Sequence, residues 1–276
     1  YFGTSGGVRQ FDGNNWRTIN TTNKSTVRSL DVDKDGRVYV GAKGEFGYLS
    51  EDSLGYPIYV SLSKKLSEKD KEFADVWNTY VTPEGVFFLS FQRIFQWKNE
   101  KLNVYDFDDI TAHLGFFTNN KLFLVRMNAG LHYFKDGEFV RVKGGKHYIG
   151  KTIFSILPFD DENVIVATRN EGLEKHNLTT GEIVPFNNVV NDELKSSKIY
   201  HGTMSEKGEY LIATLNNGIY VIDKQGNLIT NINRDNGLQS DNIKYVFKDY
   251  YGGVWAGTAT GISFIDLNLP LTFFDS

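Results

Sequence analysis

The sequence predicts an all-β protein, a seven-bladed β-propeller of four-stranded antiparallel blades whose first blade lacks its innermost strand. Three observations lead there. A strand, a small residue, a tight polar loop and a second strand recur seven times along the chain. Each full repeat carries two hairpin turns rich in Gly, Asn and Asp. Aromatic residues make up 14% of the 276 positions, and with β-branched residues they suit pleated, half-buried surfaces. The last copy is the clearest and runs from Gly252 to Ile265 around Gly257. Anchored on Gly257, the equivalent positions are Gly3, Gly41, Leu89, Val125, Ala167 and Ala213, giving spacings of 38, 48, 36, 42, 46 and 44 residues. An all-strand repeat of that length belongs to radial or stacked repetition rather than to one continuous core.

Each full repeat reads as strands A to D. Strand A ends in a polar turn shortly before the anchor, as in Asp33-Lys34-Asp35-Gly36, Glu206-Lys207-Gly208 and Tyr251-Gly252-Gly253. Strand B climbs to the anchor, as in Tyr210-Leu211-Ile212-Ala213, and strand C follows a short loop, as in Gly218 to Ile222. A second turn such as Asp136-Gly137 or Lys224-Gln225-Gly226 then leads into a short strand D. Two hairpin turns per repeat fit a propeller blade and count against a solenoid of parallel strands. Small anchors let sheets approach closely where a ring is narrow, and Leu89 and Val125 make the third and fourth repeats degenerate. The repeats fall at 1–20, 21–60, 76–106, 110–142, 151–187, 197–232 and 241–276, in one domain. The first has no strand A. Either that strand lies upstream or Leu271 to Phe274 supplies it, although the latter segment already has a place as strand D of the seventh repeat.

Composition removes several function classes. The formal net charge is −4, with no Lys/Arg block to make a nucleic-acid or membrane footprint. No apolar run reaches the ~18 residues that span a bilayer. The absence of cysteine excludes disulfides, thiolate metal sites and cysteine nucleophiles. Residue 1 falls inside a strand pattern, so the segment reads as excised from something longer.

The run from Asp235 to Ile243, followed by Asp249 to Ile262, resembles the two-component regulator propeller repeat, which reads N-G-L-x-S-x-x-I, then D-x-x-G, then W-x-G-T-x-x-G-L. Val27 to Leu49, Asp75-Val76-Trp77 and Ile94 to Trp97 also resemble the N-terminal propeller of Bacteroidetes regulators that carry a triple-tyrosine module. The resemblance implies a ligand-sensing propeller on the periplasmic or extracellular side of a bacterial membrane protein, without catalysis of its own. It further implies an adjacent second propeller, a triple-tyrosine domain, a membrane helix and a cytoplasmic kinase or DNA-binding output. A small molecule or glycan would be the ligand; a homodimer stays open. The alternatives are a cell-surface interaction scaffold or secretion accessory propeller, and a propeller lyase or glycosidase.

In a propeller the B–C loops and the D-to-A connections open on one face. Arg28, Trp77, His113, Tyr200, His201 and Tyr245 fall near the starts of A strands, and Lys43, Glu45, Phe46, Arg93, Arg126 and Arg169 fall in B–C loops. The candidate ligand-binding set is Arg28, Lys43, Glu45, Phe46, Trp77, Arg93, Arg126, Arg169, His201 and Tyr245. Aromatic faces stack on apolar ring surfaces, and guanidinium groups chelate carboxylate or sulfate. The same rim equally suits a protein-docking surface or a set of structural contacts. Asp31, Asp33 and Asp35 reproduce the opening of a calcium loop, but its twelfth position falls on Ala42, so a hairpin turn is the favoured reading. His113, His132, His147, His176 and His201 share no metal-ligand spacing, and there is no nucleophile elbow. No cofactor is expected.

Overall fold

Three of the polar turns between strands A and B, those at Asp33, Asp160 and Asp249, are each closed by one aspartate. Asp249 Oδ1 accepts hydrogen bonds from the backbone N–H groups of Tyr251 and Gly253, both at 2.9 Å, while its Oδ2 accepts from Trp255 Nε1 at 2.8 Å. One side chain therefore closes the turn and pins the first aromatic of strand B. Asp33 closes its turn in the same way, accepting from Asp35 and Arg37. Asp12 and Asp223 do so in C–D turns. The amides of Asn15 and Asn14 hold the Asp12 carboxyl below its ordinary range. A second device shapes the B–C loops. Thr4, Thr168, Thr214 and Thr258 each donate Oγ1 to a glycine carbonyl, of Gly7, Gly172, Gly218 and Gly261, at 2.9–3.2 Å.

The computed structural model of the chain describes residues 1–91, 93–107, 110–258 and 260–267, with 110–114 described by backbone alone. Seven antiparallel sheets result. Sheet 1 contains Phe2–Thr4, Gly7–Phe11 and Trp16–Ile19. Sheet 2 contains Val27–Val32, Val38–Ala42, Glu45–Glu51 and Pro57–Ser61. Sheet 3 contains Val76–Thr82, Gly85–Ser90, Arg93–Lys98 and Lys101–Asp106. Sheet 4 contains Ile110–Thr118, Lys121–Arg126, Gly130–Lys135 and Glu138–Arg141. Sheet 5 contains Ile153–Pro158, Asn163–Thr168, Gly172–Asn177 and Ile183–Pro185. Sheet 6 contains Ile199–Met204, Tyr210–Thr214, Ile219–Ile222 and Leu228–Ile232. Sheet 7 contains Ile243–Lys248, Val254–Thr258 and Ile262–Ile265. Strands within a sheet are neighbours in chain order, A to D, without crossovers. The fold class is the all-β propeller of seven blades, and among the described residues sheet 1 has three strands, B to D. The expected strand at Leu271 to Phe274 lies outside the described residues.

The chain divides into two compact units, Tyr1–Phe139 and Val140–Ser276. In each, apolar side chains pack between consecutive sheets. In the first unit Val8 and Ile19 meet Val27, Val38 and Val40, and Phe46 meets Phe88 and Phe95. In the second, Ile165 and Ala167 meet Ile199, Tyr210 and Ile212, and Leu211 and Ala213 meet Ile243, Val246 and Val254. Residues of strand B are buried on both faces, as in Val38–Ala42 and Tyr210–Thr214, because each blade is covered on both sides by its neighbours. Among the described residues no helix is long and apolar enough to cross a membrane.

Strand A carries a β-bulge at an equivalent place in five sheets. Register shifts occur between Val27 and Ser29, Val76 and Asn78, Ile153 and Ser155, Ile199 and His201, and Ile243 and Tyr245. The extra residues are Arg28, Trp77, Phe154, Tyr200 and Lys244. The residue after each bulge lies opposite the anchor: Ser29 opposite Gly41, Asn78 opposite Leu89, Ser155 opposite Ala167, His201 opposite Ala213, Tyr245 opposite Gly257. Several of these residues then reach the next sheet. Ser29 Oγ donates to the Val76 carbonyl at 3.0 Å, Ser155 Oγ donates to the Gly202 carbonyl at 3.1 Å, and His201 Nδ1 accepts from Val246 N–H at 3.4 Å.

The anchor is small where this contact is tight. A Cβ on Gly41 would lie 2.6 Å from Val76 Cγ1 and 2.7 Å from Thr79 Oγ1, and would also strike Ser29 Oγ. At Gly257 the nearest atom is Tyr245 Cβ at 3.7 Å, an ordinary contact. Gly41→Val is therefore expected to lower unfolding free energy by about 1–3 kcal/mol through overpacking. Gly257→Ala should change it by less than about 1 kcal/mol. Urea titrations of the two variants check both.

Candidate functional site

Seven of the ten candidate residues lie in unit 1, and five of them, Arg28, Lys43, Trp77, Arg93 and Arg126, sit near one another. Arg28, lifted out of strand A by its bulge, donates Nε to Asp75 Oδ1 at 2.6 Å and lays its guanidinium 4.7 Å from the ring centre of Trp77, the bulged residue of the next sheet. Lys43 pairs with Asp75 through an isolated backbone bridge. Trp77 meets Phe91 edge-on at 6.3 Å. Phe91, Arg93 and Phe107 then line an open recess of about 720 Å³ together with Glu72, Phe73, Ala74 and Asp106. Arg126 sits at the end of strand B of sheet 4, 5.2 Å above the Phe107 ring.

The arginine of this recess is paired. Arg93 donates Nε to Asp106 Oδ1 at 2.5 Å and Nη1 to the carbonyl of Glu72 at 3.1 Å. The two bonds hold its guanidinium in one orientation. The wall that supplies Glu72 is the insert between sheets 2 and 3. It folds as two short 3₁₀ turns, Ser63–Lys65 and Glu68–Asp70, fastened by buried Leu62 and Leu66.

Glu45 and Phe46 do not belong to a loop. The B–C loop of sheet 2 is only Lys43 and Gly44, with Gly44 at φ +63°, so strand C begins at Glu45 opposite Ala42. Phe46 is fully buried and stacks on Phe95 at 4.7 Å and packs against Phe88 at 4.6 Å. Its ring is core. The Glu45 carboxylate is buried too; Oε1 accepts from Phe46 N–H at 3.0 Å and from the hydroxyls of Ser61, at 2.8 Å, and Ser63. Burial first, and then the adjacent Glu45 charge, push the Tyr59 phenol up.

The calcium-like run is likewise spent on structure. Asp31 Oδ2 accepts from Val81 N–H at 2.7 Å, tying sheet 2 to sheet 3, and Oδ1 accepts from Val32 N–H at 2.8 Å. Burial raises the Asp31 carboxyl against the pull of these two amides. Asp33 closes its turn as above, so the carboxylates of Asp31 and Asp33 serve different elements.

In unit 2 the bulged residues make a ladder. Phe154 stacks on Tyr200 with ring centres 4.9 Å apart. The Arg169 guanidinium lies 4.3 Å from the Phe154 centre and 5.7 Å from that of Tyr200, and Lys244 Nζ lies 4.9 Å from Tyr200. His201 and Tyr245 form a separate contact, ring centres 4.1 Å apart. Burial pushes the His201 imidazole down to about 4. Phe154 and Lys244 escaped the sequence reading although the same count back from the anchor falls on them. The expected His113 side chain lies outside the described residues. His147, Glu171 and Glu174 bring their ligand atoms together, but Lys151 Nζ already occupies the group, 2.5 Å from Glu171 Oε2 and 2.7 Å from His147 Nε2.

The sheets and bulges define a β-propeller whose strand-A starts present cations and aromatic rings. No family model matches the chain, and no curated protein does. Among solved structures, the chain is similar to the extracellular domain of B. thetaiotaomicron BT4673, described as a one-component system. The TM-score is 0.69 at 19% identity, over 97% of this chain and 37% of that one. It is also similar to the WD40 propeller domain of Doa1, with TM-score 0.65, 14% identity and coverage of 94% and 86%. A catalytically inactive virginiamycin B lyase from Staphylococcus aureus with quinupristin gives TM-score 0.66 and 14% identity, over 90% and 84%. These likenesses concern the fold, and the chain spans little more than a third of the BT4673 domain.

Two outcomes follow from these placements. Phe46→Ala should destabilise the fold by about 3–5 kcal/mol, as loss of a fully buried ring does, measured by chemical denaturation. His201 stays neutral in the folded state well below its unfolded value of about 6.5. The unfolded chain therefore binds more protons between about 6.5 and 4, and stability should fall as pH falls through that window. In His201→Gln this part of the pH dependence of the urea midpoint should disappear.

Proposed function

We propose that this chain is the ligand-sensing propeller of a membrane-bound bacterial signalling protein, on its periplasmic or extracellular side, and that it binds without catalysing. The observation that carries this reading is the recess of unit 1, where the bulge-borne Arg28 and Trp77 adjoin Phe91, Arg93 and Phe107. The structural likeness to the extracellular domain of BT4673 supports it. Because Arg28 and Arg93 are each balanced by an aspartate, the recess favours an uncharged polar ring compound, a sugar. Aromatic faces would cover its apolar side, and the guanidinium N–H groups not used by the aspartates would meet its hydroxyls. Output would come from differential affinity of that ligand for two arrangements of the sensor with its neighbouring domains. Those neighbours are a second propeller and a triple-tyrosine domain.

The test is a neutral-glycan array followed by calorimetry on the complete ectodomain. A saccharide should bind, and Phe91→Ala, which removes a partly exposed ring of the recess, should weaken it at least tenfold, about 1.4 kcal/mol, with unchanged thermal unfolding. Absence of any neutral saccharide ligand would overturn the reading.

A further inference from the structure

The aromatic clusters of the two units differ in one respect, the fate of their cations. In unit 1 each arginine that reaches the recess wall from strand A or C is neutralised: Arg28 by Asp75 at 2.6 Å and Arg93 by Asp106 at 2.5 Å. In unit 2 Arg169 and Lys244 lie 5.7 Å and 4.9 Å from the centre of the same Tyr200 ring, and among the described residues neither makes an ion pair. Two like charges gathered at one ring repel each other, and an aromatic quadrupole compensates them only in part. The Arg169 Nε is moreover buried without a hydrogen-bond partner, an arrangement that leaves a desolvated donor unmatched. The Phe154 ring lies 4.3 Å from the Arg169 guanidinium carbon, and a guanidinium offers a fork of donors that matches an oxyanion.

We infer that unit 2 holds a second binding site, selective for an anionic ligand: a carboxylate or sulfate carried on a ring. The oxyanion accepts hydrogen bonds from Arg169 and neutralises Lys244, beside the partly exposed Tyr200. The strand-A bulges build this site. Without the register shifts at Ile153/Ser155, Ile199/His201 and Ile243/Tyr245, Phe154, Tyr200 and Lys244 would take the ordinary alternation of a flat strand. The site is independent of the recess in unit 1, since the two share no residue.

The test titrates the whole protein by calorimetry with glucuronate, glucose 6-sulfate and neutral glucose at low salt, then at raised salt. Glucuronate, glucose 6-sulfate or both should bind at least tenfold more tightly than glucose, and the affinity should fall as salt screens the cations. Which of the two binds identifies the anion as carboxylate or sulfate. Arg169→Gln and Lys244→Gln should each lower anion affinity tenfold or more, while Phe91→Ala should leave it unchanged. Lys244 is exposed, so its variant tests the site even if Arg169→Gln unfolds. Anion binding that survives Lys244→Gln, equal affinity for glucose and glucuronate, or no anion binding at all would each overturn the inference.

Discussion

The contact between a bulged strand A and the small anchor opposite it is the constraint on which the rest of this structure depends. A blade needs its first strand close to the neighbouring blade, and closeness demands a residue without bulk on one side of the contact. That residue is on strand B at Gly41 and on the next sheet at Gly115, which faces Leu89. Gly41 shows the limit, since even a methyl group there would collide with Val76 and Thr79. The bulge serves this approach by placing the next residue, Ser29 or Ser155, where its hydroxyl reaches the neighbouring sheet. In doing so it leaves one side chain per blade unpaired by the ladder and free to be large.

That surplus side chain carries the functional potential of the chain. Arg28 and Trp77 pair with each other; Phe154, Tyr200 and Lys244 do the same in series. Neighbouring bulges are the nearest partners of one another, so Arg28 and Lys244 each meet a ring borne by the adjacent bulge. The difference between the two units is electrostatic. Asp75 and Asp106 neutralise Arg28 and Arg93 in unit 1, whereas Arg169 and Lys244 have no such carboxylate among the described residues.

Much of the fold was legible because its determinants are local. An aspartate that closes a turn contacts amides two to four residues on, as Asp249 does with Tyr251 and Gly253, and the threonine after an anchor bonds a glycine three or four residues away. Such contacts are written in short motifs. The bulges were less legible. They change no hydrophobic pattern that a reader of the sequence can count, because one inserted residue leaves strand A looking like a strand. Phe154 and Lys244 were therefore missed, and Glu45 and Phe46 were assigned to a loop that is only two residues long.

By itself the sequence determined the repeat, the turns and the region where binding groups accumulate, since each rests on interactions within a few residues. Only the tertiary structure decided which of those groups face a site. Asp31 turned out to hold Val81, fifty residues away, and Phe46 to fill the core against Phe88 and Phe95. Arg93 met Asp106, and Arg169 met Tyr200. The physical reason is that a side chain's role here is set by the blade beside it. That neighbour lies some forty residues along the chain, and no local pattern records which of its residues will stand opposite.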